Sequence, residues 1–227
     1  MGNSSSSAYF SLPKKTAFEC AYHYLASARE SSLANEKLLS SALLTEKING
    51  AAERCLSAIP KGKAFRKNVT VTNSFGMKGK VGFDTLSALA SERISVPDKY
   101  GSAHLFLGDL IRAAEKKELS ITVSLDPLIP CRADAVLLNA TGKLYFIGSG
   151  GEKNINMLRF LDAYTLREIR SDLRRAQELT LSSVSAALCS FENAAEHHFA
   201  LEKIYGEAMD FAAKEEFTDN FIAEMFE

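Results

Sequence analysis

A change of pattern from strand to helix and back to strand over residues 92–127 constrains the fold most. The β-branched run 94–96 ends at Pro97, and a turn follows at 98–101. Apolar residues then recur every three to four positions, which predicts one apolar face of a helix. A second strand-like run covers 119–125. The succession predicts a βαβ crossover, the unit from which parallel sheets with helices on their faces are built.

Neighbouring segments supply further strands. Residues 69–72 alternate between apolar and polar, and three glycines then punctuate the chain as bends or turns. These glycines fit turns better than a phosphate cradle, because their spacing matches no phosphate-loop pattern. We predict a small sheet that carries the 102–117 helix on one face. Its predicted strands include 94–96, 119–125, 134–139 and 144–147.

Long helices are predicted on both sides of this sheet, so the fold class is α/β and mostly helical. Segments 18–44 and 184–209 carry apolar residues at steps of three and four, a seam typical of helices that pack along one another. Segment 28–43 aligns without gaps on 194–209, which indicates two copies of one helical element. The seams consist of Phe18, Ala21, Leu25, Ala28, Leu39 and Ala42, and of Ala187, Phe191, Ala194, His198, Leu201, Tyr205 and Ala208.

The domain organisation follows from these patterns. We predict a disordered tail at 1–12, a helical hairpin at 13–62, an α/β domain at 63–151 and a second helical hairpin at 152–227. The first residues also fit a myristoylation pattern, but we favour a leader or a plain flexible tail, because the pattern is permissive and serine-rich ends are usually flexible.

Composition excludes several classes of function. The net charge of -1 with scattered basic residues gives no reason to expect nucleic acid or an anionic membrane as partner. The four cysteines lack Cys-x-x-Cys spacing, which argues against a zinc site and favours a reducing cytoplasm. No apolar run is long enough to cross a bilayer. His198 and Glu202 have one-turn spacing, but no third metal ligand is suitably placed, so we interpret His198 as a core histidine that is hydrogen-bonded to Glu202.

The C-terminal region resembles a known family. Ala194, His198, Leu201, Glu202, Tyr205, Met209, Asp210 and Phe211 match the C-terminal signature of bacterial predicted ATPases that have two tandem phosphate-loop domains, each followed by a helical segment. Residues 21–28 resemble the helical segment after the first domain, and Asp126-Pro127 resembles the Asp-Pro after the second strand. The resemblance implies a P-loop-NTPase-like sheet, as the second half of a longer protein without its first nucleotide domain.

The phosphate loop departs from that family. The pattern G-x-x-x-x-G-K-[ST] uses glycines to wrap backbone N–H groups around phosphate, lysine to reach the outer phosphates and a hydroxyl to hold magnesium. Asp98, Ala103, His104 and Leu105 stand at its defining positions. Gly101 and Ser102 still resemble the loop, so we take them and His104 as candidate cofactor-binding residues.

Two hypotheses follow. The first is a non-catalytic relic of a P-loop ATPase, without cofactor, catalytic residues or metal ligands. It would act as a scaffold or interaction module, as a homodimer or with another protein through the helical seams. The second is a nucleotide-binding protein or NTPase that binds ATP with magnesium through an unconventional loop at Gly101, Ser102 and His104.

Overall fold

The computed structural model describes residues 4–76 and 79–226. Helices precede and follow a central region that contains the short strands. In chain order the elements are α1 (Ser4–Leu39), α2 (Thr45–Leu56), β1 (Arg66–Thr70), β2 (Asn73–Gly76), β3 (Gly79–Gly82), α3 (Thr85–Leu89), β4 (Glu92–Val96), α4 (Ala103–Lys116), β5 (Ser120–Leu125), β6 (Ala133–Leu138), β7 (Lys143–Ile147), β8 (Lys153–Asn154), α5 (Ala163–Ala208) and α6 (Phe211–Phe226). Helices thus account for most of the chain.

Six strands form one mixed sheet in the order β1-β5-β6-β7-β4-β8. β6 is antiparallel to both of its neighbours, whereas the other pairs in the sheet are parallel. β4 and β5 therefore run in the same direction, and α4 joins them as the predicted crossover. Two strands, β6 and β7, lie between them because short connections extend β5 into a meander. The predicted α/β class, mostly helical with long flanking helices, is confirmed.

Both faces of the sheet are covered. On one face, α4 buries Phe106, Leu107 and Leu110 against the strands, and α2 packs beside it through Ile48 and Leu56. On the other face, α3 places Leu86 against Leu137 and Leu144. Burial on both sides explains why β6 is an almost continuous apolar run rather than an alternating one.

The two seams pack against each other as an antiparallel helix pair. The Phe18 and Phe191 rings lie 6.0 Å apart near one end, and Leu39 and Leu173 share a cluster near the other. Alanines at the contact are fully buried, which allows the helices to approach closely. These alanines are Ala21, Ala28, Ala187 and Ala194. None of the helices in the described part of the chain is both long and apolar enough to cross a membrane.

This pairing differs from the predicted hairpins at 13–62 and 152–227. α1 packs along α5, and α2 packs along α4, so helices adjacent in the chain are not partners. A short 3-10 turn after Leu39 and a bridge between Leu43 and Leu161 redirect the chain towards the sheet. The apolar face of α2 then finds its complement on α4.

The N-terminal prediction also differs. Residues 4–12, assigned to a disordered tail, belong to α1, whereas the Met1-Gly2 start of the myristoylation pattern lies outside the described residues.

The two similar helical segments lie in different surroundings. Leu39 is fully buried beside Tyr100 and Leu173, whereas its counterpart Tyr205 is 51% exposed. Asn35 donates a hydrogen bond to the Tyr100 carbonyl in the turn before α4, whereas its counterpart is the apolar Leu201. The segments do not flank the sheet as equivalent copies, and that part of the prediction is wrong.

Candidate functional site

A cleft with charged and apolar walls opens at the carboxyl ends of β4 and β5. It has a volume of about 340 Å³ and lies between the sheet edge, the β2–β3 hairpin and α5. Such crevices are where ligands bind in open α/β sheets. Its walls include Lys80, Asp98, Gly101, His104, Asp126, Arg132, Asp134 and Val184. The cleft thus contains two of the three candidate residues.

Asp98 occupies the start of α4. Its Oδ1 accepts hydrogen bonds from the backbone N–H of Ser102 at 2.7 Å and of Ala103 at 3.1 Å. These are among the N–H groups that a helix N-terminus offers to a phosphate. Burial raises the pKa of Asp98, while the bonds from Ala103 and Ser102 act to lower it. The carboxylate of the chain itself therefore takes the position that a bound anion would need.

Gly101 and Ser102 shape the turn into α4. Gly101 has a φ of +80°, and a Cβ there would lie 2.7 Å from the Nδ2 of Asn35. That nitrogen donates to the Tyr100 carbonyl at 2.8 Å, so α1 contacts the turn directly. Ser102 is buried, and its side chain does not cap the helix. The positive φ and the close Asn35 side chain explain why glycine occupies this position.

His104 faces α1. Its Nε2 lies 3.2 Å from the Oε2 of Glu36, outside good hydrogen-bond geometry, and the same oxygen accepts a hydrogen bond from Arg132. Arg132 Nη1 also donates to the Ser32 Oγ at 2.9 Å. Burial lowers the pKa of His104, Arg132 lowers it further, and Glu36 opposes both. His104 is therefore mainly neutral at neutral pH, and it lies at the contact between α1 and the sheet.

The two other carboxylates of the cleft, Asp126 and Asp134, also accept hydrogen bonds. Asp126 Oδ1 accepts from the backbone N–H of Leu128 at 2.7 Å and of Ile129 at 3.2 Å. Asp134 Oδ2 accepts from Asn73 Nδ2 at 2.7 Å. Within residues 4–76 and 79–226, no group of three or more His, Cys, Asp or Glu side chains is arranged to hold a metal ion.

The predicted His198–Glu202 pair forms at the other end of the helix pair. His198 Nε2 lies 3.1 Å from Glu202 Oε1, and its Nδ1 lies 3.0 Å from Lys14 Nζ. Both side chains are partly exposed, so the pair is a surface contact that links α5 to α1 rather than a core interaction.

Sequence reasoning located Asp98, Gly101 and His104 but missed Glu36 and Arg132. These two are 96 residues apart, and neither belongs to a motif. Comparison with models of known families, with curated proteins and with solved structures found no match to this chain. The functional argument therefore depends on geometry and chemistry.

Proposed function

We propose that this chain is a non-catalytic scaffold or protein-interaction module derived from a P-loop ATPase and located in the cytoplasm. The observation that carries the proposal is the Asp98 carboxylate, which uses the N–H groups of Ser102 and Ala103. Phosphoryl transfer depends almost entirely on positioning and charge stabilisation at such groups. A carboxyl oxygen of the chain that already occupies these N–H groups opposes both.

The neighbouring contacts support the same proposal. The lysine position is taken by His104, which packs between Glu36 and Arg132 instead of facing an open anion site. Leu105, at the hydroxyl position, has no oxygen with which to bind magnesium. These contacts are those of a structural joint that holds α1 against the sheet.

Interaction would take place through the helices. Tyr22 is 62% exposed on α1, and Phe199 is 54% exposed on α5. Exposed apolar groups of this kind commonly mark protein interfaces when they are contiguous. We expect a homodimer or a contact with another protein, and neither nucleic acid nor membrane as a partner.

The test is thermal unfolding of the full chain with and without magnesium-ATP. A ligand at a hundred times its dissociation constant stabilises by about 2.7 kcal/mol, which raises the melting temperature of a chain of this size by roughly 5–10 °C. We expect no shift beyond that seen with magnesium chloride alone.

The alternative of ATP with magnesium predicts the opposite result. A shift of that size in the wild type, lost in His104→Ala, would identify Gly101, Ser102 and His104 as an unconventional nucleotide site and overturn the proposal. The far-ultraviolet circular dichroism of His104→Ala must match that of the wild type, which shows that the variant is folded.

A further inference from the structure

The strand β1 forms one edge of the six-stranded sheet, and no other strand of the described residues pairs with its outer side. It runs from Arg66 to Thr70, and all of its residues except Thr70 are exposed. At the opposite edge, β8 has only 2 residues. β1 is therefore the longer open edge of the sheet, and an open edge is a template on which a further strand can pair.

The hydrogen bonds to β5 decide which backbone groups of β1 face outward. The Arg66 N–H donates to the Leu119 carbonyl at 3.4 Å, so the backbone of Arg66 faces β5. The two strands pair in parallel along the whole of β1. Because backbone groups alternate in direction along a strand, Asn68 also faces β5, whereas Lys67 and Val69 point away from it. Among the described residues, none forms a hydrogen bond with the N–H and C=O groups of Lys67 and Val69.

The side chains of β1 combine positive charge with exposed apolar surface. Val69 pairs in register with Val123, which is buried in the same cluster as α4, so Val69 and Lys67 lie on the α4 face of the sheet. Val69 is nevertheless 58% exposed, and Val71, just beyond the strand, is 51% exposed. Arg66 lies on the opposite face. A strand added to this edge would therefore have a cation beside it on each face and valines on the α4 face.

The charge around this edge restricts its occupant. From residue 61 to residue 83 the sequence has no aspartate or glutamate, although the chain as a whole has a net charge of -1. Lys61 is paired with Glu118, but Lys63, Arg66 and Lys67 form no ion pair with any described residue. Acidic side chains in an added strand would therefore meet unpaired cations. The basic residues of the segment are Lys61, Lys63, Arg66, Lys67, Lys78 and Lys80.

Two other occupants fit this edge less well. A second copy of the chain would bring the same acid-free segment to the edge, and lysine on an edge strand opposes the pairing of identical edges. A single-stranded nucleic acid is usually bound through aromatic side chains on which its bases stack, and β1 contains no aromatic residue. The sugar-phosphate backbone also has no N–H groups for the outward carbonyls of Lys67 and Val69.

We propose that β1 binds an acidic, extended segment of another protein as an additional strand of the sheet. The backbone of that segment pairs with the N–H and C=O groups of Lys67 and Val69. Its acidic side chains meet Arg66 and Lys67, and its apolar side chains cover Val69 and Val71. In this mode of recognition, main-chain hydrogen bonds supply affinity and alternate side chains supply specificity. The inference goes beyond the proposed function, because it concerns the sheet edge rather than the helices and states the chemistry of the partner.

The test is amide hydrogen exchange of the full chain, measured by nuclear magnetic resonance, with the end-blocked peptide Val-Thr-Val-Thr-Glu-Glu. Antiparallel to β1, this peptide places its glutamates opposite Lys67 and Arg66 and its valines opposite Val69 and Val71. Without peptide, exchange should be slower at Asn68 than at Lys67 and Val69, because only the Asn68 N–H is bonded to β5. With peptide at about ten times its dissociation constant, exchange at Lys67 and Val69 should slow about tenfold.

Two modified peptides separate backbone pairing from charge attraction. A methyl group on the backbone nitrogen of the second valine removes a donor that faces β1, so it should abolish binding. The same group on the second threonine points away from β1 and should leave binding nearly unchanged. A peptide with two lysines in place of the glutamates should bind about tenfold more weakly or less.

Charge reversal in the protein has a matched control. Arg66→Glu with Lys67→Glu should weaken binding of the glutamate peptide about tenfold and strengthen binding of the lysine peptide. Arg170→Glu with Arg174→Glu makes the same change of net charge at exposed positions of α5, so it should leave both affinities nearly unchanged.

Several results would overturn the inference. They are unchanged exchange at Lys67 and Val69 with peptide, equal binding of the two methylated peptides, and equal effects of the two charge reversals. Slow exchange at Lys67 and Val69 that increases with protein concentration in the absence of peptide would also overturn it, because a second copy would then occupy the edge. Equal protection by oligothymidylate would assign the edge to nucleic acid instead. The magnesium-ATP experiment does not depend on any of these results.

Discussion

Replacing Asp98 with alanine removes the carboxylate that accepts two backbone hydrogen bonds at the start of α4. The donors belong to Ser102 and Ala103, which are 1% and 0% exposed. Loss of a helix cap costs about 0.5–2 kcal/mol, and a buried donor left without a partner costs about 1–3 kcal/mol. Water entering the adjacent cleft and the removal of a buried charge offset part of this cost.

We therefore expect Asp98→Ala to lower the free energy of unfolding by about 2 kcal/mol, or roughly 4–8 °C in melting temperature. The assay is urea unfolding followed by circular dichroism. Asp84→Ala is the matched control, because Asp84 precedes α3 without making a side-chain cap bond. Its effect should stay within about 0.5 kcal/mol.

Two further readouts separate the cap from other roles of Asp98. An asparagine side chain would still accept through its amide oxygen, so Asp98→Asn should retain most of the stability at neutral pH. Burial raises the pKa of Asp98 in the folded state above the ordinary value of 3.8. The folded state therefore binds the Asp98 proton more tightly than the unfolded state does. As a result, the free energy of unfolding of the wild type falls as pH rises from 3.8 through the raised pKa. Asp98→Asn should lack this loss.

Anion binding provides the most specific readout. Asp98→Ala leaves the N–H groups of Ser102 and Ala103 free at a helix N-terminus, where anions bind. Inorganic phosphate should therefore stabilise Asp98→Ala more than the wild type. The reasoning is refuted if Asp98→Ala is as stable as Asp84→Ala, or if phosphate stabilises both proteins equally.

The remaining predictions concern Gly101 and His104. Gly101→Ala should destabilise the protein by about 1–3 kcal/mol, because of the +80° φ and the close Asn35 nitrogen. Gly108→Ala is the control: Gly108 lies in open space on α4, so this change should stabilise the protein by about 0.5–1 kcal/mol. Equal effects of the two substitutions in thermal unfolding would contradict this prediction. Burial lowers the pKa of His104 below 6.5, so the wild type should lose stability as pH falls from 6.5. His104→Gln should lose less between about pH 7 and pH 5, as measured by urea unfolding.

Local periodicity was enough to predict most of the elements. The strands at 94–96, 119–125, 134–139 and 144–147 and the helix at 102–117 correspond to β4, β5, β6, β7 and α4. Each depends on side chains that are close in sequence, because the period of a strand or helix is only two to four residues. The glycines at 76 and 79 likewise end β2 and begin β3.

Which helices pack against each other could not be predicted from local sequence. The seams in α1 and α5 predicted two helices with apolar faces, but not that these faces would meet across more than 100 intervening residues. Many apolar faces are complementary in pattern, so their pairing depends on the packing of the whole chain. The predicted hairpins failed for that reason.

The candidate site shows the same division. The sequence by itself predicted that Asp98 and His104 stand where a phosphate loop would have a glycine and a lysine. Tertiary structure decided that Asp98 caps α4 and that Glu36 of α1 and Arg132 lie beside His104. The type of each residue can be read directly from the sequence. A contact such as Glu36–Arg132 cannot, because it joins residues 96 positions apart. Such contacts exist only after the closure entropy of long loops has been offset by packing.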